Sequence, residues 1–284
     1  MRSEQEMMNL ILSIAKKDDR IRMVTLEGSR TNKNIPKDLF QDYDVTFFVT
    51  EMDTFKTSDE WLSVFGRQIF IQKPEDMELF PPEWGNWFSY LMLFEDGNRI
   101  DLTLIPLLEK DDYFSKSDGL VKVLLDKDEV TNPNITPSDR KYWVKKPSER
   151  EFDDCCNEFW WVSTYVVKGL CRKEILFAID HLNQIVRYEL LRMITWKVGI
   201  DTDFKLSVGK NHKFLKRYVS DELWKTLMTT YDLSSYEKVW ESLSICQKLF
   251  REVSKEIAKL LSFEYPAYDE NITRYIEECK RNLR

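Results

Sequence analysis

An α+β fold in two parts follows from three features of the 284-residue sequence. Short segments rich in β-branched and aromatic residues crowd the first half, a Pro-rich stretch interrupts the middle, and long helical periodicity fills the second half. Residues 1–135 are read as a mixed β-sheet flanked by helices, residues 136–150 as a linker, and residues 151–284 as an α-helical bundle.

Ser3 and Glu6 have capping-box spacing, and Met7, Leu10, Ile11 and Ile14 recur at helical intervals, which predicts a first helix to about Lys17. Strands are predicted over 22–26, 44–49, 69–72, 88–94 and 99–105, with Gly, Pro, Asn or charged residues between them. From 131 to 150 the pattern breaks at Pro133, Pro137 and Pro147. Helices are then predicted over 151–169, 173–198, 220–231, 236–261 and 271–281.

The chain carries 42 basic and 49 acidic residues, a net charge of −7, which disfavours a nucleic-acid backbone and suits a cationic small molecule. Glu4 and Glu6 near the N-terminus and the lack of a long apolar run leave neither a signal peptide nor a membrane span readable, so a cytoplasmic location is expected. Five cysteines without metal-ligand spacing are expected to be reduced, and two histidines leave little material for a zinc site or a Ser/His/Asp triad. Carboxylate chemistry leads.

The predicted strand 22–26 ends in Glu27-Gly28-Ser29-Arg30. Gly28 permits a tight turn, and Ser29 with the following amides can face a phosphate; alone, such a sequence is more often only a turn. Twelve residues separate Ser29 from Asp42-Tyr43-Asp44, which leads into an apolar strand whose period of two sets both carboxylates on one face. Such a pair suits Mg²⁺, and its bland counterpart is a solvated strand entry. Asp101 interrupts the apolar run 100–105. A buried lone carboxylate there asks for a metal, a cation or a proton-transfer role, whereas an edge strand would let it face solvent.

Gly28-Ser29, Asp42-x-Asp44 and Asp101, in this order and spacing, resemble the nucleotidyltransferase superfamily that includes DNA polymerase β. Within it, the chain is similar over nearly its whole length to the bacterial aminoglycoside 6-adenylyltransferases. The second half adds Asp153-Asp154-Cys155-Cys156-Asn157-Glu158-Phe159-Trp160, residues 165–170 and Arg172-Lys173-Glu174. The resemblance implies that Asp42 and Asp44 hold Mg²⁺ against the triphosphate of ATP while AMP passes in line to a streptomycin-like antibiotic and pyrophosphate leaves. Asp101 corresponds to the third carboxylate, as metal ligand, general base or both. Gly28, Ser29 and Arg30 become the candidate triphosphate turn. Two other readings stand beside this one: a different acceptor, such as another aminoglycoside, a protein or an RNA end, and a nucleotide-binding module without catalysis, against which the three intact aspartates speak.

Residues 151–190 hold seven acidic and four basic residues, which favours a cationic acceptor. On a helix, Asp154, Glu158, Trp161 and Tyr165 form one stripe that can bind guanidinium groups and stack on cations or sugar rings. The alternative gives Asp153, Asp154 and Glu158 to the helix N-terminus and Trp161 and Tyr165 to the core. Glu174 and Asp180 are further acceptor candidates, and His181 reads as a packed histidine. Lys210 and Lys213, in a basic stretch, are candidates to neutralise ATP phosphates, with a solvated helix face as the alternative. Trp84 and Trp87 beside Pro81-Pro82 suit a cleft wall or core packing.

Overall fold

The computed structural model describes residues 1–132 and 135–282, with only the backbone of Asn282. Pro133 of the predicted break and residues 283–284 of the predicted bundle lie outside the described residues. The chain divides into two compact units, Met1–Lys141 and Tyr142–Arg284.

The first unit opens with α1 (Glu4–Lys17), started by a complete Ser3–Glu6 capping box, and buries Met7, Ile11 and Ala15. Six strands follow: β1 (Ile21–Glu27), β2 (Tyr43–Val49), β3 (Gln68–Gln72), β4 (Phe88–Phe94), β5 (Arg99–Pro106) and β6 (Val121–Asp126). Two short helices, α2 (Met52–Lys56) and α3 (Lys110–Lys116), lie between them in sequence. The spatial order is β3-β4-β5-β2-β1-β6, with β2 and β5 parallel and every other neighbouring pair antiparallel. Strand alternation divides the apolar side chains between two faces. Val45, Phe47, Tyr90 and Leu102 pack with α1, whereas Met23, Phe48 and Ile105 pack with Tyr113 of α3.

The sixth strand, β6, departs from the expectation of five. Its sequence, Val-Lys-Val-Leu-Leu-Asp, alternates weakly, and it becomes a strand by pairing with β1.

The second unit contains α4 (Glu149–Cys171), α5 (Ile175–His181), α6 (Arg187–Asp201), α7 (Asp221–Thr229), α8 (Tyr236–Leu261) and α9 (Tyr268–Asn282). Residues Leu182–Val186 join α5 to α6 in π-helical pitch. The predicted start at Lys173 is corrected to Ile175, because Lys173 has φ +62, which helical pitch does not allow. At the centre, Phe159 of α4 stacks on Phe250 of α8 with ring centroids 3.7 Å apart, and Trp160 meets Phe250 edge-on at 6.1 Å.

Helix α4 begins two residues before the predicted 151, because Ser148 and Glu151 form a second capping box. Ser148→Ala is expected to destabilise the protein by about 1 kcal/mol, read as a lower midpoint in urea followed by circular dichroism. No helix among the described residues is long and apolar enough to cross a membrane.

Candidate active site

Asp44 and Asp101 are register partners in the parallel β2–β5 pair. Because β5 lies between β4 and β2, Asp101 is on an interior strand and not an edge, although its carboxylate remains partly exposed and paired with Arg99. The same ladder aligns Thr46 with Thr103, while Ser89 faces Thr103 and Thr25 faces Thr46 on the outer neighbours. The α3-covered face thus passes from an apolar row, through a row of hydroxyls, to a row of carboxylates.

Gly28–Thr31 forms one 3₁₀ turn after β1, not the start of a long helix, so it offers a ligand only local amides and the Ser29 hydroxyl rather than a helix dipole. Gly28 has φ +66, and a Cβ built on it would lie 2.6 Å from Asp44 Oδ2. The turn and the carboxylate are therefore in direct apposition. Arg30 donates to the carbonyl oxygens of Asp42 at 2.9 Å and Gln41 at 2.6 Å, and its guanidinium lies 3.6 Å from the Tyr43 ring centroid. In this structure Arg30 fastens the turn to the entry of β2.

Burial, reinforced by the charges of Asp101 and Asp42, raises the Asp44 pKa to about 6. Burial also raises that of Asp42, against the opposing influence of Arg99. Arg99, two residues before Asp101 on the same strand face, binds Asp101 through two nitrogens at 2.9 and 3.0 Å and lies 3.8 Å from Asp42. Glu27, at the end of β1, is a further carboxylate of this face. Desolvation pushes its pKa up to about 7, opposed by hydrogen bonds from Thr25 and Tyr113.

This oxygen-only donor set and the concentrated negative charge fit Mg²⁺. Asp42, Asp44 and Asp101 are the residues that would hold it. Among the described residues no three acidic, histidine or cysteine side chains are already gathered as a metal-ligand cluster. Arg99 compensates the charge instead, through its contacts to Asp101 and Asp42.

In the second unit, a cavity of about 260 Å³ is lined by Glu151, Asp154, Glu158, Glu189, Arg192 and Trp196. Glu189 is only 8 % exposed and pairs with Arg192 at 2.7 Å, while Asp154 pairs with Arg150 at 3.0 Å. Trp161 and Tyr165 stand outside the cavity lining, as do Glu174 and Asp180. Trp161 is 56 % exposed and donates to Tyr165 Oη at 3.2 Å, so it does not fill the core. Asp153 accepts from Tyr268 at 3.0 Å, which ties α4 to α9. His181 is packed beside Phe177 and Tyr165.

Lys210 and Lys213 are exposed on a short irregular segment of this unit. Burial and the nearby Arg192 charge lower the pKa of His212 between them. In the first unit, Trp84 and Trp87 stack with centroids 5.6 Å apart; Trp87 donates to Glu109 at 2.8 Å and lines a separate groove.

Glu27, Arg99 and Glu189 escaped the sequence reading. The period of two provided the usable signal for Glu27 and Arg99, since it joins Glu27 to Thr25 and Arg99 to Asp101. Nothing local distinguishes Glu189 from a solvated helix residue.

Comparison with known proteins identifies the family. The streptomycin adenylyltransferase family matches residues 1–279. The chain is 62 % identical over 277 residues to an aminoglycoside 6-adenylyltransferase of Bacillus subtilis (strain 168), covering 98 % of each chain. It is 60 % identical to one from Campylobacter jejuni, over 99 % of this chain and 97 % of that protein. A third, from Staphylococcus aureus, is 50 % identical over 99 % of this chain and 100 % of its own length. The crystal structure of an aminoglycoside 6-adenyltransferase from Bacillus subtilis aligns over 99 % of both chains, with 55 % identity and a TM-score of 0.50. Full-length similarity, together with the aspartates and the turn beside them, establishes that the chain belongs to the streptomycin adenylyltransferase family of nucleotidyltransferase enzymes.

Proposed function

We propose that the protein transfers AMP from ATP to the 6-hydroxyl of streptomycin, releasing pyrophosphate and inactivating the antibiotic. The observation that carries this reading is the alignment of Asp44 with Asp101 beside the Gly28–Ser29 turn. Asp42, Asp44 and Asp101 are the proposed Mg²⁺ ligands. The metal supplies charge neutralisation for the triphosphate and the leaving pyrophosphate. In this reading Asp101 serves as a ligand or as the proton acceptor for the attacking hydroxyl. Gly28 and Ser29 are assigned to the triphosphate, and Lys210 and Lys213 remain candidates for its charge.

For the acceptor, Glu158 and Asp154 on the cavity wall suit guanidinium groups, and Trp196 offers an apolar surface. Trp161, Tyr165, Glu174 and Asp180 lie outside the cavity lining and form a secondary candidate set in this assignment, with Tyr165 partly buried against the helical core. Glu158→Gln is expected to raise the KM for streptomycin about tenfold with little change in kcat, because a charge-assisted contact is lost in ground and transition states alike. Steady-state kinetics with varied streptomycin check this result.

The direct test incubates the purified protein with ATP, Mg²⁺ and streptomycin. Pyrophosphate release and an antibiotic adduct heavier by one AMP support the assignment. A preparation that adenylylates another aminoglycoside but not streptomycin rejects that acceptor, and labelled ATP with protein and RNA acceptors tests the remaining alternatives.

The carboxylate pKa values also predict pH-dependent metal stabilisation. With Asp44 raised from 3.8 to about 6, the fold retains a proton that the unfolded chain loses across this interval. Its contribution favours the metal-free fold at the acid end and is lost as pH rises through the folded pKa. A divalent cation replaces that proton. Mg²⁺ is therefore expected to raise Tm more at about pH 7.5 than at about pH 5, as read by scanning calorimetry. An equal shift at both pH values would reject proton–metal competition.

A further inference from the structure

Glu27 ends β1 one residue before the Gly28–Ser29 turn. One step along the antiparallel β1–β2 ladder from the Leu26–Val45 pair brings Glu27 opposite Asp44. The carboxylate row therefore crosses three adjacent strands: Glu27 on β1, Asp44 on β2 and Asp101 on β5. Hydroxyl groups hold Glu27 in place. Tyr113 donates to Glu27 Oε1 at 2.5 Å, and Thr25 donates to the same oxygen. The Thr25 and Tyr113 hydroxyl oxygens are themselves 3.1 Å apart.

Tyr113 is a rigid support for this contact. Its ring packs edge-on against Phe48 and Phe114, each with a centroid separation of 5.0 Å, inside the small core on the α3-covered face. Beyond Glu27, the Gly28 amide donates to Leu120 O at 2.9 Å, so the turn is held from both sides. Gly28 then backs onto Asp44 with no room for a Cβ.

We propose that Glu27 is a positioning residue for AMP transfer: anchored by Tyr113 and Thr25, it fixes the end of β1 so that Gly28 holds the Asp44 carboxylate in one orientation. This rests on the reading of Asp44 as a metal ligand. Glu27 need not touch the metal or either substrate; its effect passes through the turn. A partly buried carboxylate held by hydroxyls is costly to retain, and its place beside Asp44 gives that cost a use.

The experiment compares Glu27→Gln, Glu27→Ala and Tyr113→Phe in the full chain. Mn²⁺ affinity is measured by electron paramagnetic resonance without substrates, followed by kcat and KM for both substrates and by Tm. Gln preserves an acceptor for both hydroxyls, so Glu27→Gln should stay close to wild type in Mn²⁺ affinity and kcat. Glu27→Ala and Tyr113→Phe should weaken Mn²⁺ binding about tenfold and lower kcat, with the streptomycin KM unchanged. Tyr113→Phe keeps the ring and decides the matter if Glu27→Ala fails to fold.

A Gln variant as impaired as the Ala variant would show that charge rather than positioning matters, and overturns the proposal. Wild-type Mn²⁺ affinity in Tyr113→Phe overturns it as well. Failure of the underlying metal assignment looks different: wild type then binds no Mn²⁺, or Asp44→Asn leaves its affinity unchanged, and both readings fall together.

Discussion

Asp44→Asn is expected to reduce AMP transfer about a thousandfold or more, equivalent to about 4 kcal/mol in the activation barrier. Asp44 lies in the carboxylate row, with Gly28 against it and Asp101 as its register partner. An amide has nearly the same shape but no anionic charge, and is a poor substitute as a Mg²⁺ ligand. The fold should survive, because the substitution removes a desolvated charge that neighbouring Asp101 and Asp42 already disfavour. Pyrophosphate release under saturating ATP gives the loss, and circular dichroism verifies the fold. Asp42→Asn should behave similarly; turnover like that of wild type in either variant rejects the metal-ligand assignment.

Gly28→Ala is expected to lower turnover about a hundredfold while changing Tm by only a few degrees, since small misplacements of reacting groups have effects of this order. Two physical effects combine. The residue has φ +66, where an L side chain is strained by about 1 kcal/mol, and its added methyl would lie 2.6 Å from Asp44 Oδ2. Asp44 is short and lies at the second position of β2, so relief of the clash moves the carboxylate itself. Parallel measurements of kcat and Mn²⁺ affinity distinguish this displacement from general destabilisation. Undiminished values in both would mean that the close turn–carboxylate contact is dispensable.

Much of the architecture was legible because local patterns determined it. The Ser3–Glu6 box and its apolar stripe led to α1, and helical periodicity located α8 over its full length. Weaker patterns yielded to context. Val121–Asp126 has little alternation and needs β1 as a partner, while the start of α4 depended on Ser148, which the sequence reading placed in the linker. In the candidate site, Asp42, Asp44 and Asp101 were singled out by residue type, order and the family resemblance, and the structure sets Asp44 and Asp101 side by side. Arg99 shares a strand face with Asp101 two residues on, so its pairing was within reach of the period of two, whereas Glu27 acquires its meaning from contact with Tyr113, 86 residues away.

The sequence by itself determined the α+β division, the faces of the principal helices and the order of the turn and three aspartates, all of which follow from local periodicity and residue chemistry. Only tertiary structure decided that Asp101 occupies an interior strand, that Gly28 packs onto Asp44, and that Glu189 joins Asp154 and Glu158 around one cavity. These depend on register and packing between distant segments. A carboxylate's surroundings, and therefore its charge and chemical use, are set by neighbours that sequence order does not reveal.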